Sequence, residues 1–589
     1  MSGVFLNENA AKEVIINFPL LKSVKDLVNL LNWIERNDIH LGLEPKPIDV
    51  EFLQLLANTR ESRYTHFEIE KKSGSKREIR TPDEELKRVQ RLLNYLLQLV
   101  FLPKVHYCTN GFLYGRDIVR NARPHVNKRF VLNCDIKDFF SSISFRRVKA
   151  VLELAPFRLR EEREHLGFLI ANLCAYQNSL PQGAPTSPLI SNIVTQRLDR
   201  KLNKYCLSFK VKYSRYADDL TFSCNKDLFD EEFVEGIRKI LIEENFNINE
   251  KKTRKKSNMD RQQVTGLVVN EKVNIKREYI QKVRAMLNNW EKGGLSFAKG
   301  RFRKHQPIIK KHFNFIEVVT GHVSFIGNVR GKDDKLFQKL HLQLTMLRMR
   351  VDYEFITHMG VRERLISDNL KMEKTLMDKI HDDENKFISF CTAAFHQIEN
   401  LLNYYYWKRF PEIADLLEFL LANNPRFKKR HKTIDDAKNR FTKIGALDVN
   451  VLVYIFEKQF YFEAGTNASE KKFYDRRISK LREIRNDDSH RCSVIELDKE
   501  KIISNYKTLQ RKKEKHYIKE KKYHILNTEE LEIEFHFELL EFLEKKDYSF
   551  VRKAVKEVAE KIKADLLLNN GFKAKEVKTN THLTELTIN

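Results

Sequence analysis

The sequence predicts an α+β N-terminal part followed by an all-α C-terminal part, and three observations lead there. From Tyr64 to about Asn270, strand-like and helix-like segments alternate with turn residues between them. Residues 271–350 read as helical and basic, most strongly in AKGRFRKHQPIIKKH. Beyond about residue 365 the pattern becomes almost wholly helical, as in ENKFISFCTAAFHQIENLLNYYYW. The main boundary is therefore expected near 350–370. At 589 residues the chain is long enough for roughly three or four domains of ~150 residues.

Taken in order, residues 1–60 carry amphipathic helices, with apolar residues at helical spacing in KDLVNLLNWI. KKSGSKREIRTP is a basic hairpin signal with Gly74 between cationic strands. PDEELKRVQRLLNYLLQLVF is a strong helix: Asp83 caps it, acids lead, and apolar positions recur every three or four residues. RFVLNCDIKDFFSSIS gives an apolar strand, Arg129 to Cys134, that delivers Asp135 at its end. Pro181, Gly183 and Pro185 shape a loop in SLPQGAPTSPLISN before a further helix. In SRYADDLTFS, Asp218 and Asp219 sit on a turn between two strands. Residues 61–270 thus form one mixed segment, 271–355 a helical one, 366–510 an all-helical one and 511–589 a basic, helical tail.

Lys and Arg number 107 against 81 Asp and Glu, a net charge of +26, while 42% hydrophobic residues exclude wholesale disorder. A folded, basic surface of this kind attracts polyanions, nucleic acid first among them. Seven scattered Cys, with no CxxC pair and no Cys/His metal spacing, argue for a reducing compartment and against structural zinc. The N-terminus lacks a signal-peptide pattern, and no apolar run approaches the ~18–20 residues of a membrane helix. A cytoplasmic protein without a membrane partner is expected.

Two adjacent carboxylates in a half-buried hairpin make sense when a divalent cation neutralises them. Magnesium wants oxygen ligands, and two-metal sites share carboxylates between ions, so a third acid is needed; Asp135 supplies it. The basic hairpin suits a triphosphate, and the PQG loop can press backbone and the Gln182 side chain against a base pair. Lys252, in FNINEKKTR, stands where a pyrophosphate leaving group would take a proton.

The order of these parts is what carries weight: basic hairpin, strand-Asp, PQG loop, YxDD hairpin, Asn-x-x-Lys. It resembles the reverse transcriptases over about residues 60–270, which implies a right-hand polymerase of fingers, palm and thumb. The resemblance implies that Asp135 and Asp218 hold two Mg2+ ions, supported by Asp219 and the Ile136 backbone. It implies that Arg77, with Lys72 and Arg80, binds the phosphates of an incoming dNTP. Gln182 and Gly183 would line the nucleotide pocket, and Phe140 or its neighbour Phe139 would exclude a ribose 2′-hydroxyl. Asp138 reads as a helix-start or surface acid.

Asn121-Ala122-Arg123-Pro124-His125 forms an NAxxH pattern before the Asp135 strand, and Val264-Thr265-Gly266 follows the palm. The pair, at these positions, is similar to the retron reverse transcriptases of bacteria. That resemblance implies a cognate structured noncoding RNA as partner, priming from a guanosine 2′-hydroxyl, an RNA–DNA hybrid product, and a role in anti-phage defence. Asn121, His125, Val264, Thr265 and Gly266 would contact the RNA; for His125, a buried hydrogen-bonding role in the loop is the alternative, and the two roles can coexist. An abortive-infection reverse transcriptase with protein-primed synthesis is the competing member of the class.

In the C-terminal third, KLREIRNDDSHRCS contains an R-N-x-x-x-H pattern, Arg485 to His490. His suits proton transfer from an attacking 2′-hydroxyl, and Arg suits the phosphorane charge. With its helical setting the motif resembles the HEPN ribonuclease domains, which implies dimerisation and a second catalytic pair. Glu399 is a candidate partner for Arg485 or a plain surface acid. A helical docking module is the alternative, and the basic stretch 507–524, with eight Lys or Arg against two Glu, suits either nucleic acid or an exposed helix.

Overall fold

The computed structural model describes residues 8–37, 47–70, 76–305, 313–377, 383–460, 476–491, 499–520 and 526–569. The chain divides into two compact units, residues 1–279 and 280–589.

The described strands of the first unit form three antiparallel arrangements. Strands β1 (Tyr64–Glu70) and β2 (Lys76–Pro82) form a hairpin that is mostly exposed. The main sheet centres on β3 (Phe130–Lys137). One side of β3 pairs with β5 (Asp219–Cys224), which pairs in turn with β4 (Lys212–Tyr216). Its other side pairs with β6 (Asn247–Ile248) and β7 (Arg254–Ser257). Being flanked on both sides, β3 buries Val131, Leu132, Cys134 and Ile136 as a near-continuous apolar run. Arg254, Lys255 and Lys256 of β7 are exposed, the kind of charge that protects a sheet edge from further pairing. A short hairpin follows, β8 (Gln263–Val264) with β9 (Leu267–Val268).

Helices cover this sheet. Glu84–Phe101 starts where the sequence places it: the Asp83 carboxylate accepts from the Leu86 N–H at 2.8 Å. Its Leu86, Leu93, Leu96 and Leu97 are wholly buried in the first unit's core. Helix Gln196–Ser208 packs on β4 and on helix Glu231–Glu243.

All described elements from Arg277 onward are helices. In Arg277–His305, Gly294 takes φ 77, which no helix accommodates, so the helix is interrupted there. Helix Lys335–Asp352 packs on Met359–Met377. The second unit's core forms around Glu384–Arg409, which packs on Met359–Met377, Arg476–Arg491 and Tyr548–Asn569. Phe387, Phe395, Ile398, Leu401, Tyr405 and Tyr406 of that helix are wholly buried, too broad an apolar surface for a one-faced surface helix. The basic stretch is less free than its composition implies: Lys512 pairs with Glu530 and Lys513 with Glu534, across to the acidic helix Thr528–Lys545. Among the described residues, no helix is long and apolar enough to cross a membrane.

Candidate active site

Sheet register brings the three acids together. Asp135 lies opposite Asp219 in the β3–β5 pairing, although 84 residues separate them in the chain. The Ile136 N–H donates to the Asp218 carbonyl at 3.0 Å, tying the turn to β3. One carboxylate oxygen each from Asp135, Asp218 and Asp219 fall within 4.8 Å of one another. Three hard, anionic oxygen donors this close suit a divalent cation.

Electrostatics agree. Burial, then the charge of Asp135, pushes the Asp218 carboxyl above the usual carboxylate range, while Lys252 and Arg77 oppose the shift. Burial, then the charges of Asp218 and Asp135, raises Asp219 to about 6. Asp218 and Asp219 each resist ionising in this setting, which is the repulsion a bound cation removes. Lys252 Nζ donates to Asp135 Oδ1 at 2.8 Å, and Asn249 Nδ2 donates to Oδ2 at 3.1 Å. Burial pulls the Lys252 ammonium down, but the hydrogen bond and charge of Asp135 outweigh it and its proton is held more tightly. Asn249 also donates its N–H to the Asp135 carbonyl at 2.7 Å. Only its place in the Asn-x-x-Lys pattern pointed to it.

Beneath the turn lies an ion pair that no motif announces. Arg215 donates to Asp199 through Nε at 2.8 Å and Nη2 at 2.7 Å, and neither side chain has any exposure. Thr109 and Tyr213 also donate to Asp199, at 2.7 and 2.8 Å. Burial alone would raise the Asp199 carboxyl, but the Arg215 charge and these hydrogen bonds hold it below its ordinary value. Arg215 Nη1 reaches the Ala217 carbonyl at 3.0 Å. Ala217 takes φ 56 at the first turn position, where glycine is usual, so this bond holds a strained residue just before Asp218.

The PQG loop and the basic hairpin meet. The Arg80 N–H donates to the Gln182 carbonyl at 2.9 Å. Gly183 has φ 138, and a Cβ there would stand 2.7 Å from the Arg80 carbonyl, so both conformation and space demand glycine. The Arg80 guanidinium is engaged locally, donating to Glu78 and to Gln177 at 3.1 Å. Arg77 is exposed, and its charge reaches Asp218. Lys72 lies outside the described residues. Phe139 is buried between Phe246 and Phe140, which leaves half-buried Phe140 as the ring with an open face. Asp138 is exposed on the turn after β3, with φ 49.

The NAxxH residues require a correction. Asn121 and His125 have no exposure, nor has Val264, so these side chains do not reach an RNA from where they stand. His125 is the buried, hydrogen-bonding histidine of the alternative reading. Its Nε2 meets Ser214 Oγ and its Nδ1 meets Ser223 Oγ, each at 2.7 Å, spanning β4 and β5. Burial drives its pKa down to about 3, so the ring is neutral. Ser214 Oγ donates to the Asn121 carbonyl at 3.3 Å, which assigns the ring proton to Nε2 and makes Ser223 the donor to Nδ1. Asn121 Nδ2 in turn donates to Thr265 Oγ1 at 3.3 Å. The two motifs are therefore one structure. Thr265 and Gly266, with φ 45 and 82, form the turn of the β8–β9 hairpin, and Gly266 is exposed at its tip.

In the second unit, Arg485 Nη2 meets Glu399 Oε2 at 3.3 Å, and its guanidinium lies 5.8 Å from the centre of the Phe395 ring. His490 belongs to the same helix, Arg476–Arg491, but its side chain lies outside the described residues.

Residues 69–274 match the family described as reverse transcriptase (RNA-dependent DNA polymerase). The retron Ec86 reverse transcriptase of Escherichia coli is 34% identical over 258 residues, covering 43% of this chain and 78% of that protein. This chain belongs to the retron reverse transcriptases. The retron Mx65 and Mx162 reverse transcriptases of Myxococcus xanthus are 37% and 34% identical, over 38% and 39% of this chain and 55% and 53% of their own length. The mixed α/β unit is thus a retron-type reverse transcriptase domain, an RNA-directed DNA polymerase that uses an RNA template, followed by a large all-α region.

Proposed function

We propose that this retron reverse transcriptase copies part of a cognate structured noncoding RNA into single-stranded DNA that stays joined to it through a 2′–5′ branch, in defence against phage. The observation that carries this reading is the register-fixed trio Asp135, Asp218 and Asp219, in a chain whose relatives are retron enzymes. Magnesium is the cation proposed for the trio, with the Ile136 backbone beside it. When bound it supplies activation of the primer hydroxyl and neutralises the charge that develops on the phosphates.

The chain's own residues do the rest. Arg77, together with Lys72, attracts the triphosphate of a dNTP. Gly183 lets the loop backbone approach the nascent pair, with Gln182 beside it, and Phe140 offers its open face to the sugar. The primer hydroxyl gives its proton to water, and its oxygen bonds to the α-phosphorus as the bond to pyrophosphate breaks. Lys252, already protonated beside Asp135, gives its proton to the leaving group. Thr265 and Gly266 present the hairpin tip to the RNA, and Asn121, His125 and Val264 brace it from behind. We assign fingers and palm to 61–270, thumb to 271–355, and a helical effector to 366–510. The test is the nucleic acid that copurifies with the protein: ribonuclease and debranching enzyme release DNA from a branched product, whereas plain DNA or none counts against it.

The effector is proposed, on the R-N-x-x-x-H pattern of Arg485 to His490, to be a HEPN-like ribonuclease that self-associates, with Glu399 on a facing helix meeting Arg485. His490 would move the proton and Arg485 would hold the phosphorane charge. Toxicity on expression, lost in His490→Ala and kept in Asp218→Ala, is the expected pattern. Equal harmlessness of all variants favours a docking module.

A further inference from the structure

The loop from Thr109 to Gly115 keeps an aromatic ring in water beside the aspartate turn. Phe112 is 46% exposed, and its ring centre stands 5.9 Å from that of Tyr216, tilted by 45°. Tyr216 is the last residue of β4, two before Asp218. Phe112 has φ 58, a left-handed backbone that a bulky side chain rarely adopts. The surrounding loop enforces it. The Asn110 N–H donates to the Arg215 carbonyl at 2.8 Å, and Asn192 donates to the Gly111 carbonyl at 2.7 Å. The Tyr114 N–H donates to Gln98 at 2.9 Å, and Arg116 ties the carbonyls of His106 and Thr109, each at 2.6 Å. A Cβ on Gly111 would stand 2.7 Å from the Ala217 nitrogen, so the loop lies directly against the turn.

An exposed ring contributes little to folding, and a strained backbone detracts from it. Both persist here on a braced loop, which is where structures hold groups for a ligand. We propose that Phe112, continued by Tyr216, is a stacking platform for a nucleobase of the primer–template at the polymerising end. Every base has a face to stack, so one ring serves any sequence being copied, as a polymerase requires. The inference rests on reading the three aspartates as the polymerisation centre.

The test uses the full chain with defined primer–templates, comparing wild type with Phe112→Ala, Phe112→Leu and Phe112→Tyr, and with Asp218→Asn alongside. Phe112→Ala and Phe112→Leu are expected to raise the KM for primer–template about tenfold, with the KM for dNTP and the saturated kcat within about twofold of wild type. Phe112→Tyr keeps the wild-type value. If the alanine variant does not fold, as judged by its melting temperature, the leucine and tyrosine variants decide. Single abasic sites then identify the strand: the wild-type advantage disappears when the base resting on the ring is missing, from primer or from template. An advantage that survives every abasic substitution overturns stacking. Leucine and alanine variants equal to wild type, with Asp218→Asn inactive, overturn this inference and leave the centre intact. An active Asp218→Asn removes the reading beneath it.

Discussion

Two arginine–carboxylate pairs underlie the two candidate sites, and they are built differently. Arg215 and Asp199 have no exposure, meet through two hydrogen bonds, and engage further partners at both ends. Arg485 and Glu399 meet at 3.3 Å with side chains 22% and 28% exposed. A charge taken wholly out of water must have its hydrogen bonds saturated by protein, so its geometry fixes the backbone around it. A pair at the edge of solvent has water as an alternative partner and fixes much less. The polymerase turn therefore rests on a rigid base, while the helical unit's pair is free to be a site without being a strut.

The hardest test of the first half of that contrast is Asp218→Asn, which keeps the turn's shape and removes one anionic donor. Nucleotide addition should fall by about a thousandfold or more while the circular dichroism spectrum stays unchanged. Next in size is the base itself. Asp199→Leu alone leaves Arg215 buried without its countercharge and should cost about 3–5 kcal/mol in urea unfolding. Adding Arg215→Met should recover most of that loss. Activity should stay low, because the Ala217 carbonyl has lost the guanidinium that holds the turn. Recovery of both together would mean that the ion pair supports stability alone.

The sequence disclosed what backbone periodicity and ordered motifs encode. Asp83 capped the helix it was expected to cap, and Asp135, Asp218 and Asp219 converged as their places on strand ends and turn implied. Arg215, Asp199 and Asn192 stayed silent because each is one polar residue among others in its segment, and only tertiary packing makes them partners. NAxxH was visible as a motif, but its exposure was not. Polar residues between predicted elements suggest a surface, and here they lie on two short helical turns, Ile118–Ala122 and Arg123–His125, placed so that His125 bridges two strands. Composition changes near 350–370, yet the compact units divide at 279/280, since Lys335–Asp352 packs against the helix that follows it.

His125 offers a mid-sized test with a pH signature. His125→Leu leaves the Ser214 and Ser223 hydroxyls without the ring and should cost about 1–3 kcal/mol. The wild-type ring, held to about 3, binds fewer protons in the folded chain than in the unfolded one, whose histidine takes its proton near 6.5. Its contribution is present above that value and is lost progressively as pH falls toward 3. Wild type should therefore lose stability from pH 7 to pH 4 more steeply than His125→Leu, as read by urea midpoints. Parallel slopes would place the ring's proton elsewhere.

The smallest effect belongs to the partly exposed pair, and its smallness is informative. Arg485→Met is of similar length and removes the guanidinium that lies over Phe395 and meets Glu399. Thermal unfolding should shift by less than about 1 kcal/mol, and high salt should shrink the difference further, because solvent already screens the pair. On the proposed ribonuclease reading, RNA cleavage by the full chain should nevertheless disappear, since a group that holds phosphorane charge acts on the transition state and not on the fold. A loss of several kcal/mol would make Arg485 a strut like Arg215 and erase the contrast between the two units. Unchanged cleavage would leave the pair as an ordinary surface contact.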